Sequence, residues 1–169
     1  QRLILLLNGA ALAGCAVFSY SGRDYVLIGL MLFLPLLDRG WNPPAFRFRR
    51  RNLLAIAGLA LAITGLVLWR PQFLPYALST LLLAALPEEW FFRAYFMTRL
   101  GQGRRANLAA SLLFSLLHGL TRGWATALLV FMPSLFYGWL YQRIRDLPLL
   151  VLIHALSNLV YAMFLGRFL

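Results

Sequence analysis

The stretch Phe73-Leu-Pro-Tyr-Ala-Leu-Ser-Thr-Leu-Leu-Leu-Ala-Ala-Leu-Pro-Glu88-Glu89-Trp-Phe-Phe-Arg93 sets two demands against each other. With the residues that follow to Leu100 it is long and apolar enough to cross a bilayer as a helix. Yet it carries two adjacent glutamates and an arginine, and an ionisable side chain at the centre of a membrane helix costs on the order of 2.5–3.5 kcal/mol on insertion scales. At about 1.5 Å of rise per residue, Glu88 sits roughly 16 Å inward of Arg99, near mid-bilayer and too deep for a simply solvated pair. The charges therefore need a compensating reason to be inside the membrane.

The surrounding composition agrees that the solvent is lipid. The chain has 169 residues, of which 62% are hydrophobic and only 12% charged, and its mean hydropathy is +0.75. A soluble domain averages about 45–50% apolar and about 25% charged, so a water-facing globule is excluded. The apolar runs lack the period-two alternation of a membrane β-barrel. Seven stretches can be read, about Leu3–Tyr20, Tyr25–Leu37, Asn52–Trp69, Phe73–Leu100, Ala106–Leu120, Trp124–Tyr141 and Leu147–Leu165. The expectation is an all-α polytopic transmembrane bundle forming a single domain over residues 1–169. The second stretch is short for a span and holds Pro35, so a tilted, re-entrant or interfacial course is open for it.

All 16 basic residues are arginine, against five acids, for a net charge of +11. In a soluble chain that excess would point to nucleic acid. Here the arginines lie between apolar runs, so they read as topology signals and no nucleic-acid partner is expected. If every stretch spans, eleven arginines share one side: Arg2, Arg39, Arg47, Arg49, Arg50, Arg51, Arg99, Arg104, Arg105, Arg143 and Arg145. Arg23, Arg70, Arg122 and Arg167 face the other, and Arg93 lies inside a run. The loops near residues 38–51, 99–105 and 142–146 are predicted cytoplasmic and the C-terminus outside. Cys15 is expected to be a buried small hydrophobe. Trp69, Trp124, Trp139 and Tyr141 near run ends are expected to form an interfacial belt. No cleavable signal peptide is expected from the first run, and the start at Gln1 suggests missing N-terminal sequence.

Spacing separates the two acids. Residues four apart share a helix face, so Glu89 can pair with Arg93. Glu88 points about 100° away, with no partner in its own helix. A desolvated carboxyl beside a like charge is the usual preparation of a general base. Pro87 cannot donate a backbone hydrogen bond and favours a kink that could admit water. Both histidines fall in later apolar runs, at Phe114-Ser-Leu-Leu-His118 and His154-Ala-Leu-Ser-Asn158. His154 and Asn158 share a face, so their donors can converge on one oxygen. Counted from the nearest arginines, His154 lies about 13 Å and His118 about 20 Å into its helix, depths at which both can meet Glu88. Phe114 reads as packing.

Glu88-Glu89-x-x-x-Arg93, then Phe114-x-x-x-His118, then His154-x-x-x-Asn158, resembles the three motifs of the CPBP family, the CAAX-prenyl-protease-like and bacteriocin-processing intramembrane proteases. The likeness covers about residues 73–165, and one departure is Ala94, where members often carry glycine. The resemblance implies a glutamic endopeptidase with its site in a conical cavity inside the bilayer. Glu88 would activate water, His118 would help hold or deprotonate it, and His154 and Asn158 would stabilise the oxyanion. Glu89 and Arg93 would be supporting residues. No cofactor is expected, with zinc as the minor alternative: Asn158 is a poor zinc ligand, and His-Glu-x-x-His is absent. The implied substrate is a membrane-anchored protein or peptide, cleaved during C-terminal processing of exported or lipid-anchored proteins, and the implied location is a bacterial inner membrane. Two other readings stay open. One is a non-catalytic immunity or scaffold protein of the same fold; the other is a proton-coupled transporter, since intramembrane Glu, Arg and His also build proton relays.

Overall fold

A computed structural model describes residues 2–44, 50–101 and 103–166. Arg47, Arg49 and Arg167 of the topology count lie outside the described residues. The chain is all-α, with seven helices and no strand among the described residues. They are α1 (Arg2–Val17), α2 (Arg23–Leu37), α3 (Leu53–Trp69), α4 (residues 74–97), α5 (Arg104–Arg122), α6 (Trp124–Ile144) and α7 (Leu147–Val160, continued by a π turn at Tyr161–Leu165).

Three helices, Arg50–Trp69, Trp124–Ile144 and Leu147–Leu165, are by length and composition able to cross a membrane. α4 and α5 read as less apolar because they turn polar side chains inward. Glu88, Glu89 and Arg93 of α4 are buried, as are Asn107, Ser111 and Ser115 of α5. α3 shows the converse. It has no buried residue, and Leu54 is 89% exposed. In water such a helix would aggregate; against lipid it needs no cover.

The helices form two compact units, and the chain passes from one to the other within α4, between Glu89 and Trp90. In the first unit (residues 1–44 and 90–145), α5 and α6 form a hairpin that turns at Gly123, whose φ of 95° suits glycine. α1 packs on α2 and α5, and α2 packs on Trp90–Met97. The segment after α2 is tied down by buried polar bonds. Asp38 forms an ion pair with Arg99, whose Nη2 donates to Oδ1 at 3.2 Å and whose Nε lies 2.8 Å from Oδ2. The Trp41 indole donates to the Ala94 carbonyl at 3.1 Å, and the Tyr95 hydroxyl, which accepts from Asn8 at 2.8 Å, donates to Asp38 Oδ2 at 3.3 Å. α2 is thus a helix through Pro35, ending at Leu37 in that anchored turn.

In the second unit (residues 45–89 and 146–169), α3, the first part of α4 and α7 pack around Ala77, Leu159 and Met163. Asp146 caps α7, accepting from the Leu149 N–H at 3.0 Å, and Pro148 sits in the first turn, where a missing N–H costs nothing. Asn52, just before α3, donates to the other Asp146 oxygen at 2.8 Å.

Two expectations are corrected. Tyr141 is 5% exposed and belongs to the interior, because α6 turns that face toward its neighbours, whereas Trp69, Trp124 and Trp139 are outward. Arginines lie over two of these rings, Arg70 at 4.5 Å from Trp69 and Arg143 at 4.9 Å from Trp139. Cys15 is only half-buried, its sulfur 3.1 Å from the Tyr20 hydroxyl, since the end of α1 is open to its surroundings.

Candidate active site

α4 is not a uniform α-helix around its glutamates. Thr80–Ala85 and Trp90–Met97 are π-helical, with Leu86–Glu89 as a single α turn between them. The Leu86 N–H donates five residues back, to Leu81. Pro87 supplies a reason, for its ring crowds the carbonyl four residues earlier and it has no N–H to give. Widening the preceding turn relieves that conflict. Short π segments of this kind recur at functional sites.

The turn presents both acids to α7. Within the second unit, the His154 ring lies between them: Nδ1 is 2.8 Å from Glu89 Oε1, and Nε2 is 3.6 Å from Glu88 Oε2. All three side chains are buried, with Glu89 at 0% exposure. A carboxylate only accepts, so the short bond places a proton on Nδ1 and leaves Nε2 facing Glu88. Asn158, one turn further along α7, does not share an acceptor with His154. Its amide donates to the Thr80 hydroxyl at 2.9 Å.

The first unit holds the other two motif groups. His118 Nδ1 lies 3.0 Å from the Phe114 carbonyl. A carbonyl only accepts, so Nδ1 is again the donor, and in the neutral ring Nε2 carries the lone pair. The Phe114 ring, tilted against His118 at 4.3 Å, has its other contacts with Arg93 and Phe92. Arg93 is 1% exposed, and its Nη2 donates to Ser134 at both the carbonyl (3.0 Å) and the hydroxyl (2.8 Å). Its guanidinium carbon is 5.2 Å from the Phe114 ring centre and 5.9 Å from that of Tyr137. Phe114 is therefore more than packing, because it fixes the histidine through its carbonyl and the arginine through its ring.

Residues 69–160, just over half of the chain, match the protein family described as type II CAAX prenyl endopeptidase Rce1-like. The chain belongs to that family. No curated protein and no solved structure matches it significantly. As an Rce1-like endopeptidase it is an intramembrane protease of the CAAX prenyl type, an integral membrane protein whose family acts on membrane-associated peptides.

The matched span of this Rce1-like protein holds all three motifs, and it also holds Thr80, Ser134 and Tyr137, which sequence reasoning missed. Thr80 and Ser134 are small hydroxyls in apolar runs, and a membrane helix carries such residues for many reasons. The usable signal at Thr80 was its place in the same run as the glutamates.

Proposed function

We propose that this chain, acting as one integral-membrane domain, hydrolyses a peptide bond in or beside a membrane-anchored segment by a metal-free glutamate–water mechanism. The observation that carries the reading is the buried His154 ring held between Glu88 and Glu89. Glu88 takes a proton from water as the oxygen attacks the scissile carbonyl carbon, and it returns that proton to the leaving amine when the C–N bond breaks. Glu89 fixes the orientation of His154, whose Nε2, when protonated, donates to the developing oxyanion beside the Asn158 amide. By the family resemblance, His118 helps to hold or deprotonate that water. Glu89 and Arg93 are the supporting residues of α4, Glu89 through its bond to His154 and Arg93 through its bonds to Ser134. The substrate enters through a cavity opening within the bilayer, and the enzyme sits in a bacterial inner membrane with its C-terminus outside.

Zinc fits these donors poorly. Among the described residues no three His, Cys, Asp or Glu side chains are grouped to hold a metal ion. Glu89 occupies Nδ1 of His154, and the Asn158 amide nitrogen acts as a hydrogen-bond donor. The test is cleavage of membrane-anchored peptides, including prenylated ones, by protein purified in detergent, with and without a strong zinc chelator. Glu88→Ala is expected to lower kcat by about 10²–10⁴-fold with the fold intact. His154→Ala is expected to abolish most activity too, and chelator to have no effect. Activity retained by Glu88→Ala would sink the mechanism; loss on chelation would restore the metal.

A further inference from the structure

We propose that Thr80 is a positioning residue for Asn158, setting which end of that amide faces the reacting carbonyl; this rests on the glutamate–water reading above. The two residues belong to the same unit. Thr80 is 5% exposed, and its hydroxyl oxygen accepts from Asn158 Nδ2 at 2.9 Å. Neighbouring Ser79 behaves differently: its hydroxyl bonds back along its own helix to Tyr76 at 3.0 Å. Thr80 is thus the hydroxyl of this turn that reaches across to α7.

The chemistry of an amide makes the bond consequential. Asparagine carries two N–H donors on one nitrogen and an acceptor on the other end of a plane. Rotation by half a turn about its last bond exchanges them, and an oxygen aimed at an oxyanion would repel it. With one N–H committed to Thr80, the nitrogen end is fixed and the second N–H remains for the substrate. Tyr76, one turn before Thr80, places its hydroxyl 3.5 Å from the Asn158 carbonyl oxygen, so the same face of α4 meets Asn158 at backbone and side chain. Pre-aimed donors are what oxyanion stabilisation requires, since no reorganisation is then needed during reaction.

The test is a double-mutant cycle on purified protein, with kcat and KM measured on a cleaved membrane-anchored peptide and thermal unfolding followed in parallel. Thr80→Val keeps the shape and removes the hydroxyl. It is expected to lower kcat about 10- to 100-fold with KM nearly unchanged, a part of the 10²–10³ that a lost oxyanion donor costs. Thr80→Ser is expected to stay near wild type. In an Asn158→Ala background, Thr80→Val should cost nothing more. Multiplying effects, unchanged kcat in Thr80→Val, or a Thr80→Ser variant as slow as valine would overturn the assignment. Should Thr80→Val not fold, Thr80→Ala enters the same cycle with the same expectation. Glu88→Ala separates the two levels: if it is inactive while Thr80 and Asn158 act independently, the positioning role alone fails. If Glu88→Ala is active, the mechanism fails and the positioning role with it.

Discussion

Arg93 is the residue whose burial asks most of its surroundings. A guanidinium without water must find hydrogen bonds and a polarisable environment. Ser134 supplies two acceptors to one nitrogen, and the rings of Phe114, Phe92 and Tyr137 surround the plane. Of these, only the Ser134 carbonyl survives every substitution at its own position. Ser134→Ala should therefore cost just one charged hydrogen bond, about 1–2 kcal/mol within a membrane protein. Arg93→Lys keeps the charge but cannot match the planar fork or lie flat among the rings, and should cost more than Ser134→Ala. Thermal unfolding in a fixed detergent measures both. If Arg93→Lys were as stable as wild type, the arrangement around Arg93 would be incidental to the fold.

Helix pairing in lipid depends on close approach, because burial of apolar surface gives no preference over lipid tails. The α5–α6 hairpin provides a case. A Cβ on Gly138 would overlap the side-chain amide of Asn107. That amide lies against α6 because glycine leaves the space, and from there it donates to the Leu135 carbonyl at 2.9 Å. Gly138→Ala should push Asn107 away, break this bond and destabilise the protein by about 1–3 kcal/mol. Gly58 on α3 has open space where its Cβ would go, and Gly58→Ala should be neutral or slightly stabilising. The comparison of the two melting temperatures isolates contact from helix propensity; equal shifts would remove the packing explanation.

At the scale of the whole molecule, the legible part was what depends on residue type and period. Seven apolar runs became seven helices, and the depth count that put Glu88 and His154 at similar levels is matched by their 3.6 Å approach. What was not legible depends on which way a helix is turned. An α-helical count takes no account of the π turns beside Pro87, so it did not give the bonds that α4 makes to α7, Glu89 with His154 and Thr80 with Asn158. Tyr141 looked interfacial by its place near a run end, although rotation of α6 turns it inward.

The arginine distribution is a property of the entire chain, and it makes a topological claim that follows from alternation. With seven helices, Asn42 and Leu100 fall in connections rich in arginine, while Gln72 and Gly166 fall at the opposite ends. The positive-inside bias puts Asn42 and Leu100 in the cytoplasm and the other pair outside. All four positions are exposed, so each can report as a cysteine once Cys15 has been replaced by serine. In intact cells an impermeant thiol reagent should label Gln72→Cys and Gly166→Cys. Asn42→Cys and Leu100→Cys should label only after the membrane is opened. The reverse pattern would invert the orientation. Labelling of Asn42→Cys and Gln72→Cys from the same side would mean that α3, the most apolar helix, does not cross. Any other split between the pairs would break the strict alternation that the seven helices imply.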